Sequence, residues 1–159
     1  MQKFFFMTIV LVISLFFIFD YVQSNKIKNI EHVLQRDTTT TKGVKTVADI
    51  VVRMKTIDLS GCPNDFRAAY TTHIHAWELM AEVEKEAIAY KANFESAGAF
   101  VEAFIRGAMM DPFGKAKESY AAKKELKANY QKASTQVRNT FHRVEEIAVS
   151  YGASLPKKS

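Results

Sequence analysis

The single cysteine and three of the histidines are where chemistry could sit in this 159-residue sequence: Cys62, His73, His75 and His142. A thiolate is a nucleophile, an imidazole moves protons or binds metal, and the two in contact perform covalent catalysis. Cys62 precedes Pro63 at the expected start of a helix, whose positive end lowers a thiol pKa. Its readings are a small buried residue in a tight turn, a redox or intermolecular disulfide partner, and a nucleophile. The last needs a histidine, and His73 lies about three helical turns along the same helix. That is roughly 15 Å, too far for proton transfer, so His142 would have to come from another element.

His73 and His75 sit about 200° apart around a helix and cannot chelate one metal while helical. His73 falls between Tyr70 and Trp77 on an apolar stripe, which suits a core histidine hydrogen-bonded to a neighbouring helix. The alternative is a periplasmic bundle that binds a metal or cofactor through core His73, joined by a methionine or by His142. His75 near Glu78 and Glu82, and His142 between Arg138 and Glu146, read as surface residues. Neither a Glu-x-x-His pair, a Cys-x-x-Cys-His sequence nor a His-Glu-x-x-His sequence is present. No cofactor or metal is therefore expected, and catalysis is not the expected activity. One cysteine also excludes an intramolecular disulfide framework and any Cys-only metal site. Residues 61–77, which include Arg67, hold the rarest side chains of the chain and form either a well-packed helix start or a binding surface.

The elements that must position these groups read as helices. Twelve Phe, six Tyr and one Trp supply a core, while six Gly and three Pro are too few turns for an all-β sandwich. Residues 25–36 carry Ile27, Ile30, Val33 and Leu34 at helical spacing. Residues 37–43, with four consecutive threonines and then Lys-Gly, have no apolar face and read as a linker. A first bundle helix is expected over 44–57, with Val44, Val47, Val51 and Met54 on one stripe. The second, beginning at Pro63 or Asn64, steps through Phe66, Tyr70, His73, Trp77, Met80, Val83, Ala87, Tyr90 and Phe94. A third, apolar nearly all round, spans 97–110. Asp111-Pro112 caps a fourth that runs to Tyr151 and ends at Gly152. The expected class is all-α: a four-helix bundle-like domain over 44–152 and a loose tail at 153–159, preceded by an N-terminal hydrophobic helix.

That N-terminal helix is an address. Phe4 to Phe19 is broken only by Thr8 and Ser14, with Lys3 before it and Asp20 after it. Residues 1–24 read as a signal peptide cleaved after Ser24 or as an uncleaved anchor. The run alone is about 24 Å long as a helix, and Tyr21 and Val22 bring it close to the ~30 Å of a hydrocarbon core. The cell envelope follows as location: periplasmic or secreted if cleaved, held in the inner membrane by residues 4–22 if not.

Charge is divided along the chain. From Glu78 to Glu102 there are six acids against two lysines, a balance of −4. From Lys115 to Arg143 there are eight basic residues against two acids, a balance of +6. These faces either help neighbouring helices pair or offer a basic surface to an anionic membrane or a protein partner. The candidate interaction residues are Cys62, Arg67, His75, Lys123, Lys124 and Lys127. The excess charge of +5 is modest and no recognised nucleic-acid-binding motif is present, so nucleic acid is not an expected partner. The functional expectation is a non-catalytic interaction protein of the cell envelope.

Overall fold

The computed structural model describes residues 2–40, 42–89 and 120–156, with side chains described from residue 20 onwards and, in the last segment, from residue 124. Among the described residues every regular element is a helix, as the periodicity predicts. These are α1 (Gln2–Thr40), α2 (Val47–Lys55), α3 (Asn64–Ala89) and α4 (Tyr120–Ser150). The expected helix over 97–110 and the Asp111-Pro112 cap lie outside the described residues, as do Tyr90 and Phe94.

α3 is the element the others surround. Its 3–4 spacing puts Phe66, Tyr70, His73, Trp77, Met80, Val83 and Ala87 in the core, all on the predicted stripe. α4 runs antiparallel beside it and buries Leu126, Tyr130, Ala133, Val137, Val144 and Ala148. Polar contacts mark the register. Asp65 of α3 meets Tyr151, His73 meets Thr140, and Glu86 meets Asn129, so each advance along α3 is matched by a retreat along α4. Gly152, at φ 87°, ends α4 in the left-handed conformation that favours glycine. The next residue, Ala153, then donates back to the Ala148 carbonyl at 3.0 Å.

α2 is short and held at both ends. Thr46 accepts from the Asp49 N–H at 3.0 Å as a side-chain cap, and Val47, Ile50, Val51 and Met54 face the core. It is trimmed relative to the expected span of 44–57.

The first difference from the sequence reading is at 37–43. α1 is helical through Thr40, and three of the supposed linker threonines, Thr38, Thr39 and Thr40, lie in its last turn. Thr38, Thr39 and Thr40 each donate a hydroxyl to the carbonyl three residues back, at 2.7, 2.7 and 2.6 Å. Arg53 of α2 closes this end by donating to the Thr40 carbonyl at 3.3 Å and the Lys42 carbonyl at 2.6 Å. A polar segment with no stripe of its own can remain helical when a neighbour satisfies its terminal carbonyls. The short helix expected over 25–36 is accordingly part of a longer one. Its Ile30, Val33 and Leu34 are buried in the same core cluster as α2, α3 and α4. The tail is likewise pinned at its start, where the Ser154 N–H donates to Glu31 at 2.8 Å and Ala153 is buried.

Leu34→Ala should therefore cost about 2–5 kcal/mol, the range for a buried leucine, rather than the ±0.5 kcal/mol typical of a solvated segment. Urea unfolding followed by circular dichroism measures this. An unshifted midpoint would mean that α1 does not belong to the core.

Candidate functional site

The stretch that the sequence marks as chemically dense is split by the structure into a sealed interior and an open end. In the interior, His73 is 2% exposed. Its Nδ1 lies 2.9 Å from the Thr140 hydroxyl, and its Nε2 accepts the Trp77 indole N–H at 3.1 Å. Thr140 sends its own proton to the carbonyls of Gln136 and Val137, at 2.8 and 3.1 Å. The hydroxyl must then accept from His73, which assigns the proton of the neutral imidazole to Nδ1. Phe141 packs against the ring at 5.2 Å between centroids, with Tyr70 and Trp77 edge-on at 6.2 and 6.3 Å. Burial pushes the imidazole down to about 4. Both nitrogens are engaged, so a metal or cofactor could bind only by breaking one of these bonds.

The other histidines are on the surface, as their charged neighbours suggest. His75 bonds Glu78 at 2.7 Å, and Glu78 also receives Lys55 of α2 at 2.5 Å. Lys55 first, then His75, holds the Glu78 carboxyl below its usual range. His142 lies 3.3 Å from Glu146, which is shared with Arg143 at 3.1 Å. The fold does not gather His73, His142 and Cys62 into one site. Among the described residues no group of three His, Cys, Asp or Glu could hold a metal ion.

Cys62 is buried in the turn before α3, and its thiol runs against expectation. Burial pushes it up to about 11, and nearby Asp58 adds to this while Arg67 opposes it. The positive end of α3 does not prevail, because a thiolate at this buried position would lose its hydration. Gly61 beside it lies close to Asn29, whose side chain donates to the Gly61 carbonyl at 2.9 Å and would have to shift to admit a β-carbon. Arg67 reaches back to the Asn64 side chain. A shallow cleft of about 510 Å³ opens here, lined by Lys26, Gly61, Cys62, Pro63, Asn64, Asp65 and Tyr151. Of the basic candidates on α4, Lys124 is exposed and Lys127 half-buried, while the side chain of Lys123 lies outside the described residues.

Two carboxylates partnered inside the bundle, Asp37 half-buried and Glu84 buried, escaped the sequence reading. Asp37, in the last turn of α1, accepts the hydroxyl proton of Tyr70 at 2.7 Å, and burial raises its carboxyl to about 6. Reading 37–43 as a linker hid it, although a tyrosine on a core stripe signals a need for a partner. Glu84 is 3% exposed and accepts the Val47 N–H at 2.8 Å, at the first turn of α2. Its Oε1 has no hydrogen-bond partner, and burial raises its pKa. The signal was its place one turn beyond Met80 on the buried stripe, which the charge tally overrode.

No protein-family model, curated protein or solved structure matches the chain. What the fold and these sites define is a class: an all-α bundle whose most unusual side chains are fastened to one another inside it.

Two measurements follow from the titrating groups. Asp37 holds its proton more tightly in the folded chain, at about 6 against an ordinary 3.8. Its contribution to stability is complete below about pH 4 and is lost as pH rises through about 6. His73, at about 4 against 6.5, contributes fully above about pH 6.5 and loses this as pH falls through about 4. The two slopes oppose each other across about pH 4–6. Asp37→Asn should raise stability at neutral pH by on the order of 2 kcal/mol and leave a profile that climbs more steeply with pH than the parent's. Parallel profiles from urea unfolding would count against this assignment. Cys62 should also react with iodoacetamide far more slowly than a free thiol at neutral pH, and should speed up in urea. Equal rates by mass spectrometry would mean that the thiol is open.

Proposed function

We propose that this chain is a membrane-tethered helical bundle that acts at the cell envelope through non-catalytic contacts, with residues 4–22 as its anchor. The observation that carries this reading is α1 itself, a single helix from Gln2 to Thr40. Its first half is the apolar run of the sequence, and its second half supplies Ile30, Val33 and Leu34 to the core. Cleavage after Ser24 would cut that helix one turn before Ile27. At about 1.5 Å per residue, residues 4–22 extend roughly 28 Å, close to the thickness of a hydrocarbon core. Among the described residues no helix is long and apolar enough to cross a membrane. The side chains of residues 4–19 lie outside that description, and the anchor is read from their sequence.

The non-catalytic part is supported by the state of the reactive groups. His73 is closed on both nitrogens, the Cys62 thiol is raised, and His75 and His142 are engaged with glutamates. Contact surfaces remain, among them the exposed Arg67 and Lys124.

Fractionation of host cells tests the tether. The full-mass chain should stay with membranes through alkaline carbonate washing and be released by detergent. A soluble form whose mass begins at Asn25 would replace the tether with a cleaved, exported bundle. Full-length chain in the cytosol would overturn the envelope reading altogether.

A further inference from the structure

We infer that the end of the bundle where α1 joins it lies against the lipid headgroup layer, while the basic start of α4 points away from that membrane. This rests on the membrane-tethered reading and adds an orientation to it. The end in question is defined by contacts. Asn29 of α1 meets Gly61 in the α2–α3 turn, Glu31 meets Ser154 in the tail, and Asp65 meets Tyr151. These groups begin close to the apolar run, since Asp20 to Lys26 is six residues, or about 9 Å of helix.

The surface of this end has the chemistry of an interface. Seven large apolar side chains are exposed among the described residues: Val149 and Leu155 belong to this end of the bundle, and Tyr21 and Val22 close the anchor beside it. Tyrosine prefers the headgroup level, where its ring meets hydrocarbon and its hydroxyl meets water. The acids of this end are hydrogen-bonded to neutral donors of the protein. Asp58 accepts the Ser60 N–H at 2.8 Å, Asp65 the Tyr151 hydroxyl at 3.0 Å and Glu31 the Ser154 N–H at 2.8 Å. Asp20 stays exposed beside the run, as do the cationic Lys28 and Arg67. A lipid headgroup layer, with charges of both signs above hydrocarbon, is the occupant that suits exposed tyrosine, aliphatic groups and mixed charges together.

The opposite end is remote. Asp65 to Glu86 is twenty-one residues of α3, about 32 Å, and Glu86 meets Asn129. Lys124 and Lys127 lie further along, beyond Asn129. A lipid surface potential decays over about 8–10 Å at physiological salt, so these lysines do not feel the tethering membrane. Of the two partners that charge alone allows them, the architecture leaves the protein partner.

Site-directed spin labelling of the full chain in phosphatidylethanolamine–phosphatidylglycerol vesicles tests this. Leu155→Cys, Gln131→Cys and Val12→Cys are labelled separately, with unsubstituted chain as the background for Cys62. Collision with oxygen, which partitions into lipid, is compared with collision with an aqueous nickel chelate. The oxygen-to-nickel ratio should be several-fold higher at residue 155 than at 131, and highest at 12. A lipid-buried label at 12 with equally aqueous labels at 155 and 131 would overturn the orientation while the tether stands. An aqueous label at 12 would overturn both.

Discussion

Of the polar groups on the face α3 buries, three find a partner on a different helix. Tyr70 bonds Asp37 of α1, His73 bonds Thr140 of α4, and Glu84 bonds the first turn of α2. A buried polar group without a partner costs on the order of 1–3 kcal/mol, so any arrangement that misplaces one neighbour is penalised. Apolar packing decides which faces meet, and these bonds add a further penalty for sliding or rotation within that packing. These three bonds set where each neighbour stops. The fold of the described residues follows from that demand.

The same demand accounts for the chemistry of the interior. An imidazole, a phenol and two carboxylates would suggest a reactive centre if they shared a cavity. Here each is spent on a structural bond, and burial moves every one of them toward its neutral form: His73 down, Asp37, Glu84 and Tyr70 up. Neutral, hydrogen-bonded groups are what a low-dielectric core tolerates. The one atom left over, Glu84 Oε1, belongs to a carboxylate already bonded at the positive end of α2.

The surface charges do less than their tally suggests. The opposite signs of α3 and α4 invite cross-helix ion pairs. The ion pairs among the described residues instead run within a helix, as in Lys85–Glu82 and Arg143–Glu146, or from α2 to α3, as in Lys55–Glu78. Between α3 and α4 the polar links are hydrogen bonds. Exposed pairs are worth little, and the buried stripe governs the pairing of these helices.

What the sequence determined by itself is periodicity and its immediate consequences. The stripe from Phe66 to Ala87, the face of α4, the start of α3 after Pro63 and the stop at Gly152 were all legible, because a helix is encoded by near neighbours. So was the surface position of His142 and His75, whose partners lie one turn away. Tertiary structure decided the rest. Thr38 to Thr40 end a helix that Arg53, thirteen residues beyond Thr40, closes by bonding the Thr40 carbonyl. Asp37 is drawn against the core, half-buried, because Tyr70 approaches from another helix. The Cys62 thiol is raised because the fold buries it beside Asp58. Each of these depends on which distant group arrives. Residue order along a chain records spacing directly, but it records solvation only after the chain has folded.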